Sequence, residues 1–263
     1  MDMNRRIVAE NPFKTRLQDG RGVCMGFWSS LANPLLAELV AEHQGIQWML
    51  FDAEHAPNDV HSLLAQLQAI RFSAIPAVVR PLRNHPAQIK RLLDIGFRNL
   101  LIPSVQSAQE AQEAVLATRY PPEGVRGVSG YHRNNGYGRI SDYFEYIDSV
   151  IAVIVQIESR AAMDRLEDIA AVQGIDALFV GPGDLAASLG CLGQIRAAPV
   201  QDAICSLGRR ASALGCKIGI AAGSMEDVAR YRDWGYSLFT VGSDVQLFRQ
   251  AVERLSSDML SFD

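Results

Sequence analysis

Residues 48–80 read WMLFDAEHAPNDVHSLLAQLQAIRFSAIPAVVR. The stretch opens on an apolar run, Trp48–Asp52, with no polar alternation, as in a parallel strand buried on both faces. A polar turn follows. Asn58–Ile70 then has the character of a helix, with Asn58 placed to cap its first turn. A second apolar run, Ile75–Arg80, closes the stretch. Strand, helix and strand in 33 residues make a βαβ unit, which requires a parallel sheet.

The same unit repeats outward in both directions. Further apolar runs lie at Val23–Trp28, Asn99–Ile102, Ile151–Ile157, Ala177–Val180, Lys217–Ala221 and Leu238–Val241, which makes eight strands. Helix-like segments separate them: Pro34–His43, Pro86–Ile95, Ala108–Thr118, Arg160–Val172, Val200–Leu214, Met225–Trp234 and Val245–Leu255. Gly96, Gly174, Gly215 and Gly235 each follow a helix, where a left-handed cap is expected. Eight strand–helix alternations predict an α/β fold of the (β/α)8 TIM-barrel type, as a single domain over residues 1–263. A doubly wound open sheet is the alternative. It lacks a GxGxxG turn or a Walker loop here. One connection is long, residues 120–149. Its Tyr131, His132, Arg133, Asn134 and Tyr137 suit a lid or a subunit contact.

Composition narrows the class of function. With 25 Lys+Arg against 29 Asp+Glu the net charge is −4, so a broad nucleic-acid-binding surface is not expected. No apolar run reaches the length of a membrane span. The start, Met1-Asp-Met-Asn-Arg-Arg6, has no apolar core of a signal peptide. The four cysteines have no zinc-type spacing, and a cytoplasmic setting is expected.

In a barrel, chemistry sits at the C-terminal ends of the strands. Strand two ends in Asp52-Ala-Glu54-His55, strand three in Arg80, strand five in Gln156-Ile-Glu158, and strand six runs into Gly181-Pro-Gly183-Asp184. Gln156 and Glu158, two apart on a strand, point the same way. Glu158 and Asp184 come from neighbouring strand ends and can share a hard divalent cation. Equally, Glu158 can pair with Arg160 or Arg165, and Asp184 can be a helix N-cap. Arg80 can bind a carboxylate or pair with Asp52 or Glu54. His55 is a proton carrier or a structural histidine. Asp94, near a helix C-terminus, sits at the unfavourable end of the dipole, which favours a specific role. A Schiff-base mechanism is disfavoured, because of the three lysines Lys90 lies in a helix and Lys217 begins a strand at the wrong end.

These residues fall in segments that resemble a known family. Phe51-Asp-Ala-Glu-His-Ala-Pro-Asn58, Val79-Arg80-Pro81, Lys90-Arg-Leu-Leu-Asp94-Ile-Gly96, Tyr120-Pro-Pro-Glu-Gly-Val-Arg-Gly127, Val155-Gln-Ile-Glu158 and Phe179-Val-Gly-Pro-Gly-Asp-Leu185 follow one another in family order. They resemble the class II, metal-dependent 2-keto-3-deoxy sugar-acid aldolases (the 4-hydroxy-2-oxoheptanedioate aldolase family), and within it the branch acting on 2-dehydro-3-deoxyglucarate. The resemblance implies reversible cleavage to pyruvate and a small aldehyde such as tartronate semialdehyde. The sister activities on 4-hydroxy-2-oxoheptanedioate or 2-keto-3-deoxyrhamnonate are the alternatives, as is another metal–enolate lyase of the superfamily. It implies His55 as general base, Asp94 as the acid that raises its basicity, and Arg80 as stabiliser of the enolate. Glu158 and Asp184 correspond to the metal ligands, for Mg²⁺ first and Mn²⁺ or Co²⁺ next. Gln156, Gly183 and Asp184 correspond to substrate contacts, Gly183 through its backbone N–H. The family also implies a homohexamer, a trimer of dimers, with sites near subunit boundaries.

Overall fold

The computed structural model describes residues 10–19 and 22–262. The amino-terminal residues read above for a signal peptide lie outside them. Eight parallel strands close into a barrel, each hydrogen-bonded to the next and the eighth to the first. They are β1 Cys24–Ser29, β2 Trp48–Asp52, β3 Ala77–Arg80, β4 Asn99–Ile102, β5 Ala152–Ile157, β6 Ala177–Val180, β7 Ile218–Ala222 and β8 Leu238–Ser243. The expected strands match these to within two residues at each end. Uninterrupted Val, Ile, Leu and Phe can satisfy both faces of a strand only inside a double layer. One layer fills the barrel: Trp48, Leu50, Val78, Leu101, Ile154 and Phe179. The other, larger layer lies between strands and helices and includes Phe27, Phe51, Val79, Leu100, Val153 and Phe239.

Helix α1, Pro12–Asp19, plugs the barrel at the amino-terminal ends of the strands. Its Phe13 packs on Trp48, ring centroids 5.5 Å apart. Asn11 donates to Asn99 Oδ1 and to the Val150 carbonyl, both at 2.7 Å. Among the described residues this helix covers the interior of the barrel at that end, and the interior opens at the opposite rim.

The remaining helices are α2 Pro34–Ala41, α3 Val60–Ala69, α4 Pro86–Ile95, α5 Ala108–Thr118, α6 Tyr143–Tyr146, α7 Arg160–Asp164, α8 Leu166–Ala170, α9 Pro182–Ser188, α10 Ala198–Ala213, α11 Met225–Asp233 and α12 Asp244–Leu260. Tyr143–Tyr146 was not expected, and three other differences from expectation follow. Asp59, not Asn58, caps α3, because its carboxylate accepts from the amides of His61 and Ser62 while Ser62 Oγ returns a bond to the cap. Asn58 instead donates to the Asp52 carbonyl at 2.7 Å, tying the β2 loop to the strand. The single helix expected over Arg160–Val172 is broken at Arg165, whose backbone leaves the helical region. The last helix extends five residues past Leu255.

The long connection does not form a lid over its own barrel. It leaves the C-terminal end of α5 and enters the start of β5, so it lies on the floor side. Arg133 donates to the Ile95 carbonyl at 2.7 Å and Asn134 to the Leu93 carbonyl at 2.9 Å, satisfying the free end of α4. Gly96 caps that end at φ +115°, where a side chain would also meet Arg133.

Helix α12 stands apart in another way. Of its 17 residues only Asp244 is buried. Val245, Phe248, Val252, Leu255 and Met259 recur at alternating steps of three and four, and all are exposed. That spacing is the one found along helix–helix seams.

Candidate active site

The rim is organised by one ion-pair cluster. Asp52 and Arg80, the last residues of β2 and β3, are partners in the strand register. Arg80 is 4 % exposed. Its Nε and Nη2 donate to the two oxygens of Asp52 at 2.8 and 2.6 Å, a bidentate fork, and its Nη1 pairs with Glu54 at 2.8 Å. The guanidinium lies 4.6 Å from the centre of the Trp28 ring. Burial alone would raise the Asp52 carboxyl. The hydrogen bonds and charge of Arg80, with the Glu54 amide and the Trp28 indole, hold it below its ordinary value. Asp52 also accepts from the amides of Glu54 and His55, at 2.9 and 3.4 Å, which sets the course of the loop carrying His55. The pairing of Arg80 with Asp52 and Glu54 is therefore observed. It holds the Arg80 guanidinium in one orientation beside the cavity it lines.

On the far side of the rim, β5 presents Gln156 and Glu158. The Gln156 amide donates to Glu158 Oε2. Glu158 Oε1 accepts from Ser104, from the amide at 2.7 Å and from the hydroxyl at 3.2 Å. Its expected alternative, an ion pair to Arg160 or Arg165, is not formed among the described residues. A Cβ on Gly181 would come within 2.5 Å of both Gln156 Nε2 and Glu158 Oε2, so a larger residue there would displace one or both of these groups. A Cβ on Gly183 would meet nothing within 4 Å, so its exposed position would also accept a small side chain. Asp184 does not cap α9. Gly181 is the cap residue, and Asp184 stands in the first turn.

Two adjoining cavities open on this rim. One of about 440 Å³ is lined by Trp28, Asp52, His55, Arg80, Gln156, the 181–184 turn and Thr240, among others. The other, about 180 Å³, is lined by Glu54, His55, Ser104, Gln106, Glu158 and Asp184. His55 and Asp184 border both. The His55 ring is 65 % exposed and stands 3.7 Å from Glu54.

The smaller cavity concentrates negative charge. Burial, then the neighbouring charges of Asp184 and Glu54, push the Glu158 carboxyl up to about 7 against the opposing Ser104 amide. Glu54 is likewise raised by burial, against Arg80. Among the described residues no group of three or more His, Cys, Asp or Glu side chains is gathered to hold a metal ion. The carboxylates that line the smaller cavity are Glu54, Glu158 and Asp184, the first of them paired with Arg80. The buried Gln156 Oε1, which has no hydrogen-bond partner, lies beside them. Carboxylates held in excess, with an unsatisfied amide oxygen, fit a hard cation that takes its remaining ligands from water or substrate.

The structure thus brings His55, Arg80, Gln156, Glu158, Gly183 and Asp184 to one rim. It does not bring Asp94 there. Asp94 lies in the last turn of α4, and helices of a barrel run back to the strands' amino-terminal side. It pairs with Arg126 at 2.8 Å and lies 3.9 Å from His132. Among the described residues no hydrogen bond or ion pair joins it to His55. Sequence reasoning assigned no role to Ser104 and treated Asp52 and Glu54 only as partners for Arg80.

Comparison with known proteins shows the family. Residues 24–251 match the family model for HpcH/HpaI aldolase/citrate lyase. The chain belongs to that family. It is 47 % identical over 249 residues to the 5-keto-4-deoxy-D-glucarate aldolase of Shigella sonnei, covering 95 % of this chain and 96 % of the relative. A crystal structure of an HpcH/HpaI aldolase/citrate lyase family protein from Burkholderia cenocepacia superposes with a TM-score of 0.90 at 40 % identity, over 95 % of this chain and 99 % of that one. The HpcH/HpaI aldolase from Desulfitobacterium hafniense gives 0.84 at 27 % identity, over 94 % and 95 %. The family consists of carbon–carbon lyases, and this barrel is one of them by sequence and by fold.

Proposed function

We propose that the protein cleaves 2-dehydro-3-deoxyglucarate reversibly to pyruvate and tartronate semialdehyde. An aldaric acid carries a carboxyl at each end. A 5-keto-4-deoxy acid numbered from one end is therefore a 2-keto-3-deoxy acid numbered from the other, so the relative's name describes a compound of the same constitution, differing in configuration at one hydroxyl-bearing carbon. The observation that carries the reading is the convergence of a fixed cation, Arg80, an exposed imidazole, His55, and two carboxylates, Glu158 and Asp184, around one cavity.

Glu158 and Asp184 would hold a divalent ion, Mg²⁺ first and Mn²⁺ or Co²⁺ next, which supplies Lewis acidity toward the keto acid when bound. Arg80 faces the same cavity with its charge already desolvated and oriented, so negative charge developing on the ketone oxygen meets it without reorganisation. In cleavage His55 takes the proton of the C4 hydroxyl, directly or through water. The C3–C4 bond breaks, its electron pair becomes the pyruvate enolate, and the aldehyde leaves. A proton returned to C3 completes pyruvate. Gln156 and the Gly183 backbone position the carboxylate end.

Asp94 completes the site from a second copy of the chain, because it lies at the opposite end of its own barrel. The unpartnered seam on α12 supports a homo-oligomer, with the hexamer of the family as its expected form. The cytoplasm is the proposed setting. All four cysteines are free thiols, and burial pushes Cys24 up to about 11, away from ready oxidation. No helix among the described residues is long and apolar enough to cross a membrane.

The test is coupled pyruvate release over a panel of 2-dehydro-3-deoxyglucarate, 4-hydroxy-2-oxoheptanedioate and 2-keto-3-deoxyrhamnonate, with and without chelator. Fastest turnover on the glucarate acid, abolished by chelation and restored by Mg²⁺, is expected. Turnover of another member alone would reassign the substrate, and none across the panel would overturn the aldolase reading.

A further inference from the structure

Strand β4 contributes nothing charged to the rim, yet the loop that follows it makes the closest contact to Glu158 Oε1. That contact comes from Ser104, one of three non-glycine residues with positive φ among the described residues, at +58°. Left-handed backbone is rare outside Gly, Asn and Asp and persists only where the surroundings impose it. Here the imposing features are visible. Pro103 and Val105 on either side are buried, so the loop cannot rotate freely. The left-handed turn aims the Ser104 amide at Glu158 Oε1, 2.7 Å away, with the hydroxyl 3.2 Å from the same oxygen. Pro103 has no N–H to offer.

The other Glu158 oxygen is held by Gln156, so the carboxylate is fixed from both sides. One of its supports can be built only by this backbone conformation. Ser104 itself is exposed toward the smaller cavity, where Asp184 also stands. We infer that Ser104 is a positioning residue that holds Glu158 in place and thereby sets the site's affinity for a divalent ion. This rests on Glu158 and Asp184 being the ligands.

The experiment measures Mn²⁺ binding to the purified full chain by titration calorimetry, with thermal stability alongside. Supporting contacts to a ligand act on metal affinity by about 10- to 100-fold. Ser104→Ala keeps the amide and loses the longer contact, so weakening at the lower end of that range is expected, near tenfold. Ser104→Gly loses the same hydroxyl and adopts the left-handed backbone freely. It is expected to bind as weakly as Ser104→Ala while melting no lower than the wild type. That combination separates positioning from general stability. Affinity of Ser104→Gly within about threefold of the wild type, below the range such contacts span, would overturn the inference. Glu158→Ala is the control. If it still binds Mn²⁺ like the wild type, the ligand assignment fails, and that failure is read independently of either Ser104 variant.

Discussion

Replacing Glu158 by glutamine should stabilise the metal-free protein. The folded chain raises this carboxyl from 4.5 to about 7, so the folded state holds the proton more tightly than the unfolded chain does. Below about pH 4.5 both states are protonated and the group costs nothing. Between about pH 4.5 and 7 the unfolded chain gives up the proton that the folded chain keeps, so stability falls across that window by about 3 kcal/mol at 1.36 kcal/mol per pKa unit, and above it the folded state carries a buried charge. The amide introduced by Glu158→Gln carries no charge. Its oxygen can still accept from Ser104, and its NH₂ can meet Gln156 Oε1, which has no partner, once that amide turns over. With an unfolding entropy near 2.1 cal/mol/K per residue, 3 kcal/mol corresponds to roughly 5 °C in melting temperature for a chain of this length. The assay is thermal unfolding in chelator from pH 5 to 8.5. The variant should match the wild type at the acid end and melt higher by about that amount above pH 7.5. Mn²⁺ should then reverse the order. A thousandfold excess over its Kd adds about 4.1 kcal/mol to the wild type and nothing to the variant. Equal melting temperatures across the pH range would refute the claim that Glu158 is a buried charge in need of a cation.

Glu158→Ala and Asp184→Ala should each abolish metal-dependent pyruvate release, and activity retained after chelation in either would remove that residue from the ligand set. His55→Ala should keep Mn²⁺ affinity while kcat falls by about 10²-fold or more, as expected for loss of a proton carrier. An unchanged kcat would end its role. Inactive His55→Ala and Asp94→Ala chains, unfolded and refolded together, should recover part of the wild-type rate if the two residues meet across copies; no recovery would confine Asp94 to its own floor-side network. Leu255→Asp on α12 should reduce the oligomer in light scattering, and an unchanged mass would show that the helix seam is not a contact.

What could be read from the sequence depended on how local its cause is. The strands were legible because a segment such as Ala152–Ile157, buried at every residue, has to be apolar almost throughout. The rim residues were legible by the same logic, since Asp52, Arg80, Gln156 and Glu158 interrupt or end such runs and cannot be explained by packing. Ser104 was not legible. Its importance lies in a φ angle, and Pro-Ser-Val in the sequence carries no sign of a left-handed turn. The break at Arg165 was hidden for a similar reason, because nothing in the composition of 160–172 stops a helix. Asp94 is a different case. Its helix and its place in the last turn were both correctly anticipated, and from these alone the barrel topology sets it on the side away from His55. The resemblance assigned the two residues to one reaction, whereas the direction of the helix separates them in one chain. Both hold if neighbouring chains present opposite ends of their barrels to each other. The Arg126–Asp94 pair, with Arg126 almost wholly buried, then has a physical purpose, since it sets a guanidinium beside a carboxylate at a helix C-terminus, where the dipole alone disfavours negative charge.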